Sequence, residues 1–165
     1  MEGQVNDFQL LVSRLPEDMR AEFRAWVDEA SETSDIDDSF LGFIADYVDL
    51  AAILERHTIR LVPDAERCLC IPSRTWTVYD VGCASGFQHV LFPFADRYVG
   101  IDAWGKQKAF LPNCEFVRGR FAEVADSLRV DRDRSFGIAN MSLAYTGRDD
   151  DLEAFDRVFK HKYII

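Results

Sequence analysis

The sequence is poor in basic residues and has no long hydrophobic run. Its 165 residues carry 29 acidic and 19 basic side chains, a formal net charge of −10. This balance argues against a broad nucleic-acid surface, because phosphate contacts require clustered Lys and Arg; a local basic patch is the alternative. No apolar run approaches the roughly 20 residues of a membrane span, so we expect no membrane partner either. Residues 1–10 show neither the basic start nor the apolar stretch of a secretory signal.

Cysteine and histidine are also scarce, with four and three residues respectively. Without an export signal we expect reduced thiols in a cytoplasmic protein. Cys68 and Cys70 are spaced C-x-C, which matches neither the C-x-x-C redox motif nor a zinc knuckle. No histidine lies at metal-ligand spacing to a cysteine, so we expect no metal site.

The two parts of the chain differ in pattern, although the hydrophobic fraction of 48% is high enough throughout for a packed core. Residues 1–62 show the apolar spacing of helices and are predicted to form a helical amino-terminal extension. His57 closes the last helical run and is predicted to be a helix-terminal residue. Residues 63–74 are bounded by prolines and are predicted to be a connection. The whole of 63–165 is predicted to be one α/β domain.

Strand and helix patterns alternate after residue 74. The predicted strands are 75–81, 97–102, 114–117, 136–141 and 163–165. The predicted helices are 87–94, 121–128 and 149–159, with at most a short helix at 106–111. Pro93 is predicted to kink or end the first of these helices. This alternation predicts βαβ units, and thus a three-layer α/β fold with about five mostly parallel strands.

A glycine-containing turn, Gly82-Cys83-Ala84-Ser85-Gly86, stands where the first of these strands meets the next helix. Small residues at 82, 84 and 86 allow a sharp bend and close approach of a ligand to the backbone. The helix that follows would offer free N–H groups to that ligand. Asp102 ends the next strand, 20 residues after Gly82, and such a carboxylate can accept both ribose hydroxyl protons. A tight turn without any ligand is the alternative.

The pattern D-x-G-x-A-x-G, followed by G-I-D at residues 100–102, is similar to that of the class I S-adenosylmethionine-dependent methyltransferase family. The similarity covers residues 75–165 and implies a Rossmann-like sheet that binds S-adenosylmethionine. A dinucleotide-binding G-x-G-x-x-G motif fits poorly, because its third glycine would fall at Phe87. The implied cofactor-binding residues are Asp80, Gly82, Cys83, Ala84, Gly86, Asp102, Trp104, Phe121 and Asn140.

The resemblance assigns each of these residues a role. Asp80 would hold the turn and orient the amino-acid end of the cofactor, the residues of the turn would line it, and Asp102 would bind the ribose. Trp104 would pack on the adenine edge, with plain packing as its alternative. Adenine would depend on backbone groups and Phe121, because Arg120 stands where the family often has an acidic acceptor. Asn140 is expected only to line the pocket.

Two departures concern the later strands. Gly137 stands where the family often has an acidic residue. The sequence reaches Ile165 at the predicted fifth strand, whereas the family core has seven, so we expect the usual last strands to be missing from 63–165. The last strand would then be an edge with apolar residues. The helical extension, a second copy of the chain or another protein would cover it.

Three functions remain open. The first is methyl transfer to a small-molecule or protein acceptor, the second a non-catalytic methyltransferase-like module, and the third a nicotinamide enzyme. Methyl transfer from a sulfonium needs mainly positioning, so the sequence assigns no catalytic residue. Asn140, Tyr145 and His89 are the candidates at the carboxyl ends of strands. We expect His89 to face solvent and Tyr145 to pack on the surface.

Overall fold

The computed structural model describes residues 12–13, 15–32, 38–57, 59–64, 67–72, 76–104, 106–139 and 149–164. Residues 12–13 are helical, and two helices follow them, α1 (Glu17–Glu32) and α2 (Asp38–His57). An antiparallel hairpin follows, β1 (Ile59–Asp64) and β2 (Arg67–Pro72), in which Ile59 lies opposite Pro72. No helix within the described residues combines the length and apolar character that crossing a bilayer demands.

The hairpin corrects the sequence interpretation of this region. Residues 59–62 were expected to be helical and 63–74 to be a connection, but both stretches contain strands. Isoleucine, valine and leucine after His57 favour extended backbone. Pro63 and Pro72 are tolerated because a two-stranded sheet consists only of edge strands, each with one unpaired side. The helical part of the chain therefore ends at His57 rather than at residue 62.

Five strands form the main sheet, and all of them are parallel. They are β3 (Thr77–Val81), β4 (Arg97–Asp102), β5 (Cys114–Arg118), β6 (Ser135–Ala139) and β7 (His161–Ile164). Their order across the sheet is β5-β4-β3-β6-β7. The predicted α/β fold with a parallel sheet is confirmed. The direction of strand addition reverses between β3 and β6.

The connections are shorter than predicted. A 3₁₀-helix (Phe87–Leu91) follows β3 in place of the helix expected over 87–94. No helix is present in the described part of 106–111. After β5 comes the single turn α3 (Phe121–Val124), continued by a 3₁₀-turn (Ala125–Ser127). Only α4 (Asp149–Val158), which precedes β7, matches its predicted range closely.

Both faces of the sheet are covered, which gives three layers. The first face carries side chains of β3, β4 and β6 that share one core with α1, α2 and the 3₁₀-helix after β3, including Phe23, Tyr47, Leu50, Leu54, Val78, Phe87, Val90, Tyr98, Phe110 and Ile138. The second face packs against α3 and α4, with Tyr79, Val81, Val99, Ile101, Phe121, Ala125, Ala139, Ala154, Phe155 and Phe159. The amino-terminal helices therefore form one layer of the sandwich.

Strand β7 lies at one edge of the sheet, as the sequence predicted for the last strand. Tyr163 and Ile164 are 39% and 47% exposed there. Within the described residues, the amino-terminal helices pack on the first face with side chains of β3, β4, β5 and β6, while Tyr163 and Ile164 at this edge stay exposed.

Candidate functional site

The turn after β3 adopts backbone conformations that small residues permit. Gly82, Ala84 and Gly86 have φ values of 75°, 50° and 73°. The Gly82 amide donates to the Ile101 carbonyl at 2.7 Å, so the start of the turn is joined to the end of β4. A positive φ is rare for alanine, and such a conformation persists only where its surroundings hold it.

Asp102 lies beside this turn. Its Oδ2 accepts the Ala84 amide at 2.8 Å, and its Oδ1 accepts the Trp104 amide at 2.8 Å. The residue is only partly buried. Each carboxylate oxygen has a second lone pair, so the group keeps acceptor capacity for a ligand. The structure thus brings together the two features that the sequence singled out, the bend and the carboxylate.

The loop after β4 is attached to the turn by a residue that the sequence interpretation missed. Gln107 Nε2 donates to the Ala84 carbonyl at 3.0 Å and to the Trp104 carbonyl at 2.8 Å. Trp104 itself is 79% exposed, so its expected alternative as a packed residue is wrong. A lone glutamine in a loop carries no sequence signal that distinguishes it from a solvated one. The result is an exposed indole held next to Asp102.

Asp80 is completely buried and is bonded by three side chains. The Tyr47 hydroxyl donates to Oδ1 at 3.0 Å, Gln88 Nε2 donates to Oδ2 at 2.6 Å, and the Tyr98 hydroxyl also donates to Oδ2. Burial raises the pKa of Asp80 to about 6, because desolvation outweighs these three hydrogen bonds. A carboxylate so enclosed holds protein groups, and it does not reach a ligand in this conformation.

Of the two roles predicted for Asp80, the structure supports holding the turn and does not support direct contact with a cofactor. Gln88 Nε2 donates at 3.0 Å to the Cys83 carbonyl as well as to Asp80, so Asp80 acts on the turn through Gln88. Direct orientation of a cofactor's amino-acid end by Asp80 is not what the structure shows. Tyr47 comes from the amino-terminal helices, which no sequence pattern connects with β3.

Packing within the protein accounts for the residue types at two positions of the turn, Cys83 and Gly86. The Cys83 side chain is 1% exposed, and burial raises the pKa of its thiol well above the ordinary value. Only the backbone of Cys83 is left to line a ligand. A Cβ atom on Gly86, or one on Gly100, would clash with the ring of Phe116. Glycine at 86 is thus required by packing as well as by its positive φ.

His89 is a core residue rather than the solvent-facing one that was expected. It is 0% exposed. Its Nε2 accepts the Phe110 amide at 3.0 Å, so the ring proton belongs on Nδ1, which donates to the Gly86 carbonyl at 2.6 Å. Burial lowers the pKa of His89 to about 4. With both nitrogens engaged, this imidazole is no free base.

Phe121 was predicted to contact adenine, but it lies in the protein core. It is 3% exposed and stacks on Phe159 with ring centroids 5.7 Å apart. Its ring belongs to the core of the second face, so it is not free to contact adenine. The aromatic character of residue 121 serves packing between α3 and the segment after α4.

Arg120, at the position of the missing adenine acceptor, is engaged in ion pairs. It donates to Asp150 at 3.1 Å and to Asp151 at 3.0 Å. Asp151 is 2% exposed and also accepts the Ala122 amide at 2.9 Å. Asp151 therefore satisfies an amide of α3 and joins this helix to α4.

The remaining sequence candidates lie in β6 and in the segment between β6 and α4. Adding a Cβ to Gly137 would bring it to 2.5 Å from the Phe159 ring, so packing explains glycine there. Asn140 and Tyr145 lie outside the described residues. Among the residues that are described, no group of three or more His, Cys, Asp or Glu is arranged to hold a metal ion.

The fold and the site define an α/β protein with a glycine-containing turn and a carboxylate together at the carboxyl ends of β3 and β4. No family model, curated protein or solved structure matches the chain. Function is therefore inferred from the geometry of the site.

Proposed function

We propose that this protein binds S-adenosylmethionine at the glycine turn and transfers its methyl group to a small-molecule or protein acceptor. One observation carries the proposal: the Asp102 carboxylate lies 2.8 Å from the Ala84 amide. A bend of small residues and an anionic acceptor are thereby presented together at the end of two adjacent parallel strands.

The groups beside the turn suit a nucleoside. Asp102 keeps free lone pairs that can accept both ribose hydroxyl protons. The exposed indole of Trp104 follows two residues later and gives an apolar surface for the edge of a base. The backbone of Gly82 and Ala84 is accessible enough to line the remainder, since both residues are only partly buried.

The position in the sheet agrees with this use. Ligands of open α/β sheets bind outside the carboxyl ends of the strands, where the order of strands reverses. Here the reversal lies between β3 and β6, and the glycine turn follows β3 directly. The proposed site is therefore at the place where this architecture forms a crevice.

Methyl transfer from a sulfonium requires little acid–base catalysis from the protein. The acceptor nucleophile forms a bond to the methyl carbon while the carbon–sulfur bond breaks, and a neutral thioether leaves. The protein has to align the acceptor and exclude water. A base is needed only for an acceptor that begins protonated. His89 and the Cys83 thiol are both buried and unsuited to that task.

A second candidate is a module that binds the nucleoside without catalysis. Arg120 favours it, because the guanidinium at the expected adenine-acceptor position is committed to Asp150 and Asp151. Incubation with methyl-labelled S-adenosylmethionine and cell extract separates the candidates. Transfer of label to an acceptor supports the enzyme. Binding of the nucleoside without any transfer supports the module.

Calorimetric titration with S-adenosylmethionine and with its demethylated product tests binding itself. We expect Asp102→Ala to weaken binding by about 1.5–3 kcal/mol, through loss of hydrogen bonds to a charged group. Asp126→Ala is the matched control, because Asp126 is exposed on the surface, where it pairs with the exposed Arg157. Equal affinities of Asp102→Ala and wild type would place the ribose elsewhere. Tight binding of a nicotinamide dinucleotide instead would support the third function considered from the sequence.

A further inference from the structure

A path of hydrogen bonds leads from α2 to the glycine turn. The Tyr47 hydroxyl donates to Asp80 Oδ1 at 3.0 Å. Gln88 Nε2 donates to Asp80 Oδ2 at 2.6 Å and to the Cys83 carbonyl at 3.0 Å. All three side chains are buried, so water does not compete for these bonds. One carboxylate thus joins an amino-terminal helix to the backbone of the turn.

Helix α1 reaches the same segment through aromatic contacts. The rings of Phe23 and Trp26 meet the Phe87 ring edge-on, with centroids 6.0 and 4.2 Å apart. Phe87 follows Gly86 directly and begins the 3₁₀-helix after the turn. Both amino-terminal helices therefore contact residues that hold the turn in place: α2 through Asp80 and Gln88, and α1 through Phe87.

We propose that Tyr47 is a positioning residue for the glycine turn, and that docking of α2 is coupled to ligand binding there. Tyr47 acts through Asp80 and Gln88, which hold the Cys83 carbonyl next to the strained Ala84. Only the choice of ligand rests on the proposed function. Coupling of this kind is reciprocal, so a ligand on the turn also strengthens the docking of α2.

The test compares Tyr47→Phe with Tyr79→Phe. Each removes one hydroxyl from a buried tyrosine, but Tyr79 lies in the core of the second face, opposite Asp80 on the same strand. In ligand-free protein we expect the NMR amide signals of Cys83 and Gly86 to move in Tyr47→Phe and to stay in place in Tyr79→Phe. We expect affinity for S-adenosylhomocysteine to fall about five- to tenfold in Tyr47→Phe alone.

The outcomes separate the two proposals. If wild type does not bind S-adenosylhomocysteine, the proposed function fails, and the amide signals still decide the role of Tyr47. If wild type binds and Tyr47→Phe has the same affinity and the same amide signals, the coupling is wrong.

A second variant, Gln88→Met, severs the same path at its other end and guards against misfolding of Tyr47→Phe. In ligand-free Gln88→Met we expect hydrogen exchange of α2 amides over residues 47–54 to quicken relative to wild type. The quickening should exceed that of the 121–124 amides in α3, which serve as the internal reference. Unchanged exchange in α2 would overturn the coupling.

Discussion

The two faces of the sheet differ in how buried polar side chains are used in their cores. The buried polar side chains of Asp80, Gln88 and His89 lie on the first face, where they are hydrogen-bonded to one another or to the backbone of the glycine turn. The core cluster of the second face consists of aliphatic and aromatic side chains, with Phe155 and Phe159 both 0% exposed, and the buried Asp151 joins its two covering helices. A buried polar group destabilises the folded protein unless it is hydrogen-bonded. Because hydrogen bonds are directional, such groups restrict the positions of their partners more than apolar contacts do.

The origin of the covering layers differs in the same way. Helices α3 and α4 arise from the crossovers that join β5 to β6 and β6 to β7. The first face is covered by α1 and α2, which precede the whole sheet, together with a 3₁₀-helix. The face that leads to the site thus depends on long-range contacts, and the other depends on local ones. We expect changes on the second face to alter stability alone, and changes on the first to alter ligand binding too.

The largest effect is expected from Phe159→Ala. Phe159 is completely buried, stacks on Phe121 and fills the space above Gly137. Truncating such a ring leaves a cavity, and we expect a loss of about 3–5 kcal/mol in the free energy of unfolding. Urea unfolding at fixed temperature measures it. Leu152→Ala on the neighbouring helix is the control, because Leu152 is 46% exposed and should change stability little.

The ligand affinity of Phe159→Ala tests whether the second face also shapes the site. At a temperature where the variant is folded, its affinity for the nucleoside should equal that of wild type. A large loss of affinity at full folding would show that the second face also shapes the site, and the contrast between the faces would disappear.

The next effect is a pH dependence that comes from the first face. The pKa of Asp80 is raised to about 6, so its contribution to stability is present below the unfolded value near 3.8 and is lost as pH rises through 6. The pKa of His89 is lowered to about 4, so its contribution is present above 6.5 and is lost as pH falls through 4. Each amounts to about 3 kcal/mol, with opposite sign.

These two dependences should nearly cancel in wild type between pH 4 and 6.5. Asp80→Asn removes one of them. Its stability relative to wild type should therefore be lower at pH 4 than at pH 7, by about 2–3 kcal/mol. Urea unfolding across this range measures the difference, with Asp126→Asn as the exposed control. A difference that does not vary with pH would mean that Asp80 ionises as it does in the unfolded chain.

Sequence patterns predicted the strands of the sheet better than its covering layers. The predicted range 97–102 is β4 itself, and the other four strands agree within two residues. The central strands β3, β4 and β6 are short, mostly buried and largely apolar runs, which are easy to recognise. The helix expected at 87–94 failed because Gly86 enters it in a left-handed conformation and Pro93 limits its length. Because prolines favour loops, residues 63–74 were predicted to be a connection, although they contain most of the hairpin of β1 and β2.

The site was only partly predictable for a related reason. Gly82, Ala84 and Asp102 are read from spacing, because a turn and the next strand end are close in any βαβ unit. Tyr47 and Gln107 have no such spacing, since their partners are set by how distant segments pack. Phe121 was misplaced because aromatic character does not distinguish a ring over a ligand from a ring in a core.

A smaller effect is expected from Gln107→Ala. Gln107 joins the Ala84 carbonyl to the Trp104 carbonyl, and both bonds are partly open to water. We expect a loss of about 1 kcal/mol in nucleoside affinity, as the loop that carries Trp104 becomes less ordered. Titration calorimetry measures it, with Asn113→Ala as a contrast, because Asn113 binds carbonyls of Phe92 and Ala95 away from the turn. A greater loss of affinity in Asn113→Ala would reverse the order expected.

The smallest effect concerns the ion pair between Lys108 and Glu22, which connects the loop after β4 to α1. Both side chains are largely exposed, so Lys108→Gln should change the free energy of unfolding by less than about 1 kcal/mol. The rings of Phe23 and Phe110 pack 5.1 Å apart beneath it, and apolar contacts are not screened by salt. Wild type in roughly 1 M NaCl should therefore keep α1 docked, with hydrogen exchange of its amides unchanged. If salt alone released α1, the first face would depend on surface charge rather than on its buried core.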